Sequence, residues 1–448
     1  MSKEEPTTYT SHGVKTQNDL RSIEENNDEY LKNYTGYEYA EIAPRKFTDT
    51  TVEVTKDSTG KSETNGQLND YRDLFVDRLQ KLRKIVSQHK FDSPMRKLKD
   101  LPNSEGHDVT VCGLIRVIRD TQKGNKLIVL DDETGEFPIV FTDEELFEQM
   151  DTMIEDEVVA ISGQVSNDGN IMFGNELFSP EIPFGRNSAT ADRNVKAVFL
   201  SDIHVGSDKF AFDRWNEFVD WVREEEDISY VITAGDLVEG VGIFPDQEDE
   251  LELTKLDDQY KFCGELFSKF PDDVEIITTV GNHDAIRVAE PQPTLPQKYT
   301  EYFPENVTWV SNPASVSIEN GVSIELYHGA SIHDFTSEIP GLDEDNPTGP
   351  MEHMLKKRHL APLFGNNARI APEVEDYHVI KTIPSIFHTG HVHTYETDTY
   401  HDILMLNTGG WVYQTAYQER MNIQPTVGRI TVVNLNTLKH QNIQFGQD

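Results

Sequence analysis

Cysteine is nearly missing from this chain of 448 residues: Cys112 and Cys263 stand far apart, outside any CxxC pattern. A disulfide framework and a zinc ribbon are both excluded, and a reducing compartment is expected. No apolar run approaches the ~20 residues that a membrane-spanning helix needs, and residues 1–28 lack the apolar core of a signal peptide. These absences predict a soluble, cytoplasmic protein without membrane contact. Basic residues are scarce as well, 40 Lys and Arg against 79 Asp and Glu, for a formal charge of −39. That is the wrong sign for a general nucleic-acid binder. Because the excess is spread along the chain rather than gathered in a tail, it reads as adaptation to high salt.

What the sequence does contain is one pattern used five times: a short apolar run that delivers a metal-type ligand. Residues 195–200 (VKAVFL) lead to Asp202 and His204, and residues 230–235 (YVITAG) to Asp236. Residues 274–280 (VEIITTV) lead to Gly281, Asn282, His283 and Asp284; residues 322–326 (VSIEL) lead to His328. Residues 385–389 (SIFHT) lead to Gly390, His391 and His393. Each run has the length and apolar content of a buried strand. A lone Asp-x-His is ordinary loop chemistry, but five such pieces, each at a strand end, converge on a metal centre. Oxygen and imidazole donors without thiolate suit hard or borderline divalent ions, manganese first, with iron, zinc or magnesium as alternatives. A shared carboxylate holds two such ions about 3.5–4 Å apart, an arrangement that clamps a phosphate and activates water.

Together these motifs resemble the full signature of calcineurin-like metallophosphoesterases. The surrounding words narrow the likeness: 235–245 (GDLVEGVGIFP), 289–293 (AEPQP), 357–362 (KRHLAP), 370–373 (IAPE) and 407–411 (NTGGW) resemble the small subunits of archaeal family-D DNA polymerases. The likeness covers roughly residues 100–448. It implies an α/β phosphoesterase sandwich flanked by helices. One metal ion would take Asp202, His204, Asp236 and His393; the other would take Asp236, Asn282, His328 and His391, with Asp236 bridging. His283 would protonate the leaving oxygen or stabilise the phosphate charge, oriented by Asp284. The activity implied is a 3′–5′ proofreading exonuclease acting on DNA with a 3′ end, in partnership with a large polymerising subunit; nothing in this chain resembles a polymerase active site. A non-catalytic scaffold subunit and a stand-alone phosphodiesterase are the rival readings. Arg358 and His359 lie in the family-like KRHLAP stretch, where they could touch the nucleotide. His333, His353, His359, His378, His388 and His401 read as surface or packing residues, although His333 stands where the family leads one to expect an acid.

In chain order, residues 1–66 are polar and without sustained period, and are expected to form a disordered arm, with aromatics between Tyr30 and Tyr39 that could dock. Residues 67–100 form a basic segment: Tyr71, Leu74, Phe75, Leu79, Leu82 and Val86 fall at helical spacing. Its basic face could be solvated, or could meet DNA or a partner subunit. Residues 101–185 turn to short strands at 109–118, 126–130, 137–141, 157–165 and 171–173, with a short helix at 144–150. Five strands and one helix match an OB-fold barrel. Its face is acidic and poor in base-stacking aromatics, which favours a structural module packed on the catalytic unit. Residues 194–448 alternate strands with helices and form that unit.

Charge repulsion of this size should weaken as salt rises, because the Debye length falls to about 3 Å at 1 M. The thermal unfolding midpoint is therefore expected to climb between low and molar salt; a flat or falling midpoint would remove the halophilic reading.

Overall fold

The computed structural model describes residues 8–10, 13–15, 37–47, 49–62, 64–245, 247–420 and 422–446. Near the N-terminus β1 (Thr8–Thr10) and β2 (Gly13–Lys15) form an antiparallel ribbon. The remainder of residues 1–36 lies outside the described residues. From Tyr37 onward the expected disordered arm is folded. The Tyr37 hydroxyl donates to Asp220 Oδ2 (2.8 Å) and that of Tyr39 to Asn216 Oδ1 (2.7 Å), so part of the aromatic cluster does dock. Farther on, β3 (Val52–Lys56) adds an edge strand to a sheet built from residues more than 250 positions away. Sequence pattern misses β3 because its middle three side chains are exposed and its order comes from ladder hydrogen bonds.

The basic segment opens with the helix α1 (Leu68–Val86), in which Arg78 is buried, Lys81 and Arg83 are partly buried, and Arg72 and Lys84 are exposed. Leu79, Leu82 and Val86 pack on Cys112, Leu114, Val158 and Ala160 of the next domain, while Leu74 packs with Ala361, Ala368 and Ile370. Arg78 sits on this apolar stripe with its side chain 0% exposed. Its Nε donates to Asp376 Oδ2 (2.7 Å), and its Nη1 to the carbonyls of Asp156 (3.1 Å) and Pro362 (2.6 Å). Lys81 reaches Glu375 and Arg83 reaches Glu133. These three basic residues thus join parts of this chain rather than facing DNA or a partner.

Residues 95–178 form the OB barrel: β4 (Met95–Arg96), β5 (Asp108–Asp120), β6 (Lys126–Asp132), β7 (Gly135–Phe141), β8 (Val158–Val165) and β9 (Met172–Phe178). They run in the order β4-β5-β6-β7-β9-β8, and β8 returns to pair with β5. Closure depends on β5, whose register shift between Ile115 and Val117 lets one long strand serve two partners. Val111, Ile115, Ile128, Leu130, Ile139 and Phe141 fill the interior.

The unit that follows contains β10 (Lys196–Leu200), α2 (Phe212–Glu224), β11 (Ile228–Thr233), α3 (Leu256–Phe267), β12 (Glu275–Thr278), β13 (Val307–Trp309), β14 (Ala314–Ile318) and β15 (Val322–Leu326). It continues with α4 (Ile332–Glu338), α5 (Thr348–Lys357), β16 (Ile386–Thr389), β17 (Glu396–Tyr400), β18 (Ile403–Asn407), β19 (Arg429–Asn434) and β20 (His440–Gln444). One sheet runs β13-β12-β11-β10-β19-β20, the other β17-β18-β16-β15-β14-β3. Alternation along each strand divides its side chains between layers. Ala197, Phe199, Tyr230 and Ile232 meet Val316, Ile324, Leu326 and Ile386 between the sheets. Val198, Leu200 and Val231 turn outward beneath α2 and α3, against Trp215, Phe218 and Phe262. Tyr327, Phe387 and Met405 face α4 and α5. No helix among the described residues is long and apolar enough to cross a membrane.

Arg78→Ala would leave Asp376 buried without its partner, a loss expected to cost about 3–5 kcal/mol. Thermal unfolding should show the loss equally at low and molar salt, since a dry ion pair is not screened; a cost that disappears in molar salt would mean the pair is solvated.

Candidate metal centre

Both sheets present the C-terminal ends of parallel strands to one rim of the sandwich. β10, β11 and β12 are parallel neighbours in one sheet, β15 and β16 in the other. Four of the five loops that leave these ends are joined in pairs through their backbones. The N–H of Asp202 donates to Gly235 O (3.0 Å), that of His204 to Asp236 O (3.0 Å), and that of Gly390 to His328 O (2.9 Å). Five donors sit on left-handed backbone: Asp202, His204, Asp236, His391 and His393, with φ of 53°, 54°, 51°, 73° and 57°. Side chains other than glycine rarely adopt this conformation, and each instance costs about 1–3 kcal/mol, which is why such residues gather at functional sites. Gly281 and Gly390 are required by space. A Cβ on Gly281 would overlap Asp236 Oδ1, and one on Gly390 would overlap Asp202 Oδ2.

The seven expected ligands come together in two groups that meet at Asp236. In the first, His204 Nε2 lies 3.1 Å from His393 Nε2, 3.6 Å from Asp236 Oδ2 and 4.0 Å from Asp202 Oδ1, and His393 Nε2 lies 3.5 Å from Asp202 Oδ1. In the second, His328 Nε2 lies 2.9 Å from Asn282 Oδ1, 3.2 Å from His391 Nδ1 and 3.3 Å from the same Asp236 Oδ2. Asp236 Oδ1 is occupied by the N–H of His283 (2.8 Å), which leaves Oδ2 for both groups. Asp202 Oδ2 accepts from Ser201, both Asp202 oxygens accept the N–H of His391 (2.9 Å to Oδ2, 3.1 Å to Oδ1), and Oδ1 also faces the first group.

Second contacts fix the imidazole tautomers. His328 Nδ1 donates to Ala234 O (2.8 Å), since a carbonyl only accepts, so Nε2 is the nitrogen that would give up its proton to bind a metal. His204 Nδ1 faces Glu239 Oε2 at 3.0 Å. Glu239 was missed in the sequence, where a carboxylate three residues beyond Asp236 was the available signal. Its backbone oxygen also accepts from His283 Nδ1 (2.8 Å). The orienting group of His283 is therefore Glu239, not Asp284 as expected. Asp284 instead accepts from the N–H of Gly281 (2.9 Å) and the hydroxyl of Tyr260 (3.1 Å), folding the 281–284 loop from within. Burial and then the charge of Asp236 push its carboxyl up to about 7.

The electrostatics of the pocket favour cations. Burial would lower the His328 imidazole, but Asp236 and Asp202 push it up to about 10. Burial would raise the Asp202 carboxyl, yet His393 and His328 hold it down at about 2. Metal–ligand bonds of about 2.0–2.2 Å put neighbouring donors roughly 3–3.5 Å apart, close to the spacing within each group. The donor set fits two divalent ions that share Asp236.

The other histidines singled out in the sequence lie outside the two groups. His353, His378 and His388 are buried, and His401 stacks on Tyr400. His333 lies against the ring of His391 (centroids 4.9 Å apart) with Nδ1 on Glu344, at the edge of the centre. Arg358 and His359 do not reach it. The Arg358 guanidinium binds the carbonyls of Ile380 and Lys381 (both 2.8 Å), and His359 binds Asp376 (2.9 Å). His359, read as a packing residue, is buried in this contact.

Comparison with known proteins places this geometry in a lineage. The family model of the DNA polymerase alpha/epsilon B-subunit matches residues 197–398, and that of the OB-fold nucleic acid binding domain matches residues 109–182. The DNA polymerase II small subunit of Halobacterium salinarum is 40% identical over 393 residues, 86% of this chain and 77% of that one. That of Archaeoglobus fulgidus is 36% identical over 425 residues (90% and 85%), and that of Methanothermobacter thermautotrophicus 34% over 405 residues (87% and 83%). The halobacterial relative accords with the acidic excess. With its barrel, its sandwich and similarity along most of its length, this chain belongs to the family of archaeal DNA polymerase II small subunits.

Proposed function

We propose that the chain is the 3′–5′ proofreading exonuclease subunit of a family-D DNA polymerase, hydrolysing the 3′-terminal phosphodiester of DNA beside a large polymerising subunit. The observation that carries this reading is Asp236 Oδ2, buried between two groups of nitrogen and oxygen donors. A scaffold subunit has no use for five donor residues on strained backbone, two of them buried carboxylates.

Asp202, His204, Asp236 and His393 would hold one divalent ion, and Asp236, Asn282, His328 and His391 the other, with manganese the expected metal. When bound, the ions supply Lewis-acid charge to the phosphate and activate the attacking water. Neutral Asn282 limits the negative charge of the site, so a phosphodiester can approach. Water adds to phosphorus, the bond from phosphorus to the 3′ oxygen breaks, and that oxygen takes up a proton. His283 would supply it: Nδ1 is pinned to Glu239 O, so the imidazolium carries its mobile proton on Nε2. Glu239 keeps His204 aimed, as carboxylates behind metal-bound imidazoles do.

Hydrolysis should be measured on end-labelled DNA with manganese in molar salt, with and without the large subunit. Asp236→Asn is expected to abolish it and to lower metal content in both groups, read by plasma spectrometry; two retained ions with wild-type turnover would refute the assignment. His283→Ala should keep both ions and lose about 10²–10⁴-fold in turnover. A nitrophenyl phosphodiester, whose leaving group needs little protonation, should be partly spared. Loss of an ion in this variant would make His283 a ligand.

The OB barrel and adjoining catalytic surface are the proposed contact for the large subunit. Because β3 and α1 are built into the fold, the fair truncation removes residues 1–36 only. That shortened chain is expected to co-purify with the large subunit; failure would move the contact to the N-terminal residues.

A further inference from the structure

Behind the second donor group lies a buried polar assembly that the proposed chemistry does not use. Asn312, Gln292 and Glu290 are 0%, 1% and 3% exposed. Asn312 Oδ1 accepts the backbone N–H of His328 (2.8 Å). Its Nδ2 donates to Gln292 Oε1 (2.8 Å) and Glu290 Oε1 (3.2 Å). Gln292 Nε2 donates onward to the carbonyls of Arg287 (3.0 Å) and Gly281 (3.4 Å), the latter adjoining Asn282. Backbone bonds in both directions clamp Asn312 to Gln292 (2.8 and 2.7 Å). On the far side, Glu290 Oε2 accepts from His378 Nε2 (3.0 Å) and from the hydroxyl of Tyr327 (3.2 Å), the neighbour of His328.

One amide therefore ties together the two loops that carry Asn282 and His328. Its oxygen accepts from an N–H and its two donors go to two oxygens, a pattern that also fixes which way round the amide sits. No hydrogen bond among the described residues joins this assembly to Asp202, His204 or His393. The two halves of the centre are braced differently.

We propose that Asn312 is a positioning residue for the second half alone, setting the spacing of Asn282 and His328 through Gln292 and Glu290. The inference rests on the two-ion reading above. Aspartate at this position would still accept from His328, but it would lose both donated bonds and place a second carboxylate against Glu290.

The test is a titration of the metal-free full-length chain with manganese, followed by calorimetry and by electron paramagnetic resonance, which separates a coupled pair of ions from a single one. Wild type should take up two coupled ions. Asn312→Asp should keep the first and weaken the second by about 10–100-fold, the usual cost of losing a partner behind a ligand. Adding Glu290→Gln, which returns a donor opposite the new carboxylate, should recover about tenfold or more of that affinity, as coupling within one network requires. Should Asn312→Asp fail to fold, Gln292→Met removes the brace at similar volume and should weaken the second ion in the same selective way. A wild-type chain that binds fewer than two ions would overturn the two-ion reading. Two wild-type ions, together with unchanged affinity in a folded Asn312→Asp or Gln292→Met chain, would overturn this inference alone. Equal weakening of both ions, or no recovery in the double variant, would also overturn it.

Discussion

A carboxylate 2% exposed to solvent, with one oxygen serving two donor groups, is the constraint around which this molecule is built. Burial penalises the charged form of Asp236, but His328 and His283 outweigh the penalty and hold its carboxyl well below the usual range. That balance requires imidazoles from both sheets at one rim, and so requires the sheets to be stacked with their parallel strand ends in line. It also requires glycine at positions 281 and 390, because a Cβ at either would collide with a carboxylate of the centre.

The left-handed backbone at five donor residues is unfavourable, and local structure alone would not keep it. The restraint comes from the strands behind each loop, buried on both faces between helices and the opposing sheet. Hydrogen bonds between adjacent loops carry that rigidity the last few ångströms. It reaches His204 through the side chain of Glu239, His283 through the backbone oxygen of Glu239, the 281–284 loop through Asp284, and His328 through Asn312.

The electrostatic organisation has two regimes. At the surface the acidic excess has few basic partners, and its repulsion depends on salt. Inside, scarce basic residues are used where screening cannot reach. Arg78 joins α1, the barrel and the catalytic unit through Asp156, Pro362 and Asp376. Arg78, Lys81 and Arg83 of the one net-basic stretch thus make contacts within the chain, which charge alone did not indicate.

The strand-then-ligand grammar was legible in the sequence because it is local: an apolar run predicts a buried strand, and the next few residues occupy its end. The observed strands Val322–Leu326 and Lys196–Leu200 coincide with the apolar runs or lie within them, and all seven expected donors meet. The OB barrel was legible for the same reason. What the sequence alone could not determine depends on partners far along the chain. Arg78 and Asp376 are 298 positions apart, and β3 pairs with residues near 316. Asp284 follows His283 directly and still turns away from it, whereas Glu239, 44 positions earlier, supplies the orienting oxygen. Local pattern chose the donor residues, because side-chain chemistry and strand period are properties of short segments. Tertiary structure decided what holds and aims them, because a buried hydrogen bond belongs to whichever groups the packed layers bring within about 3 Å.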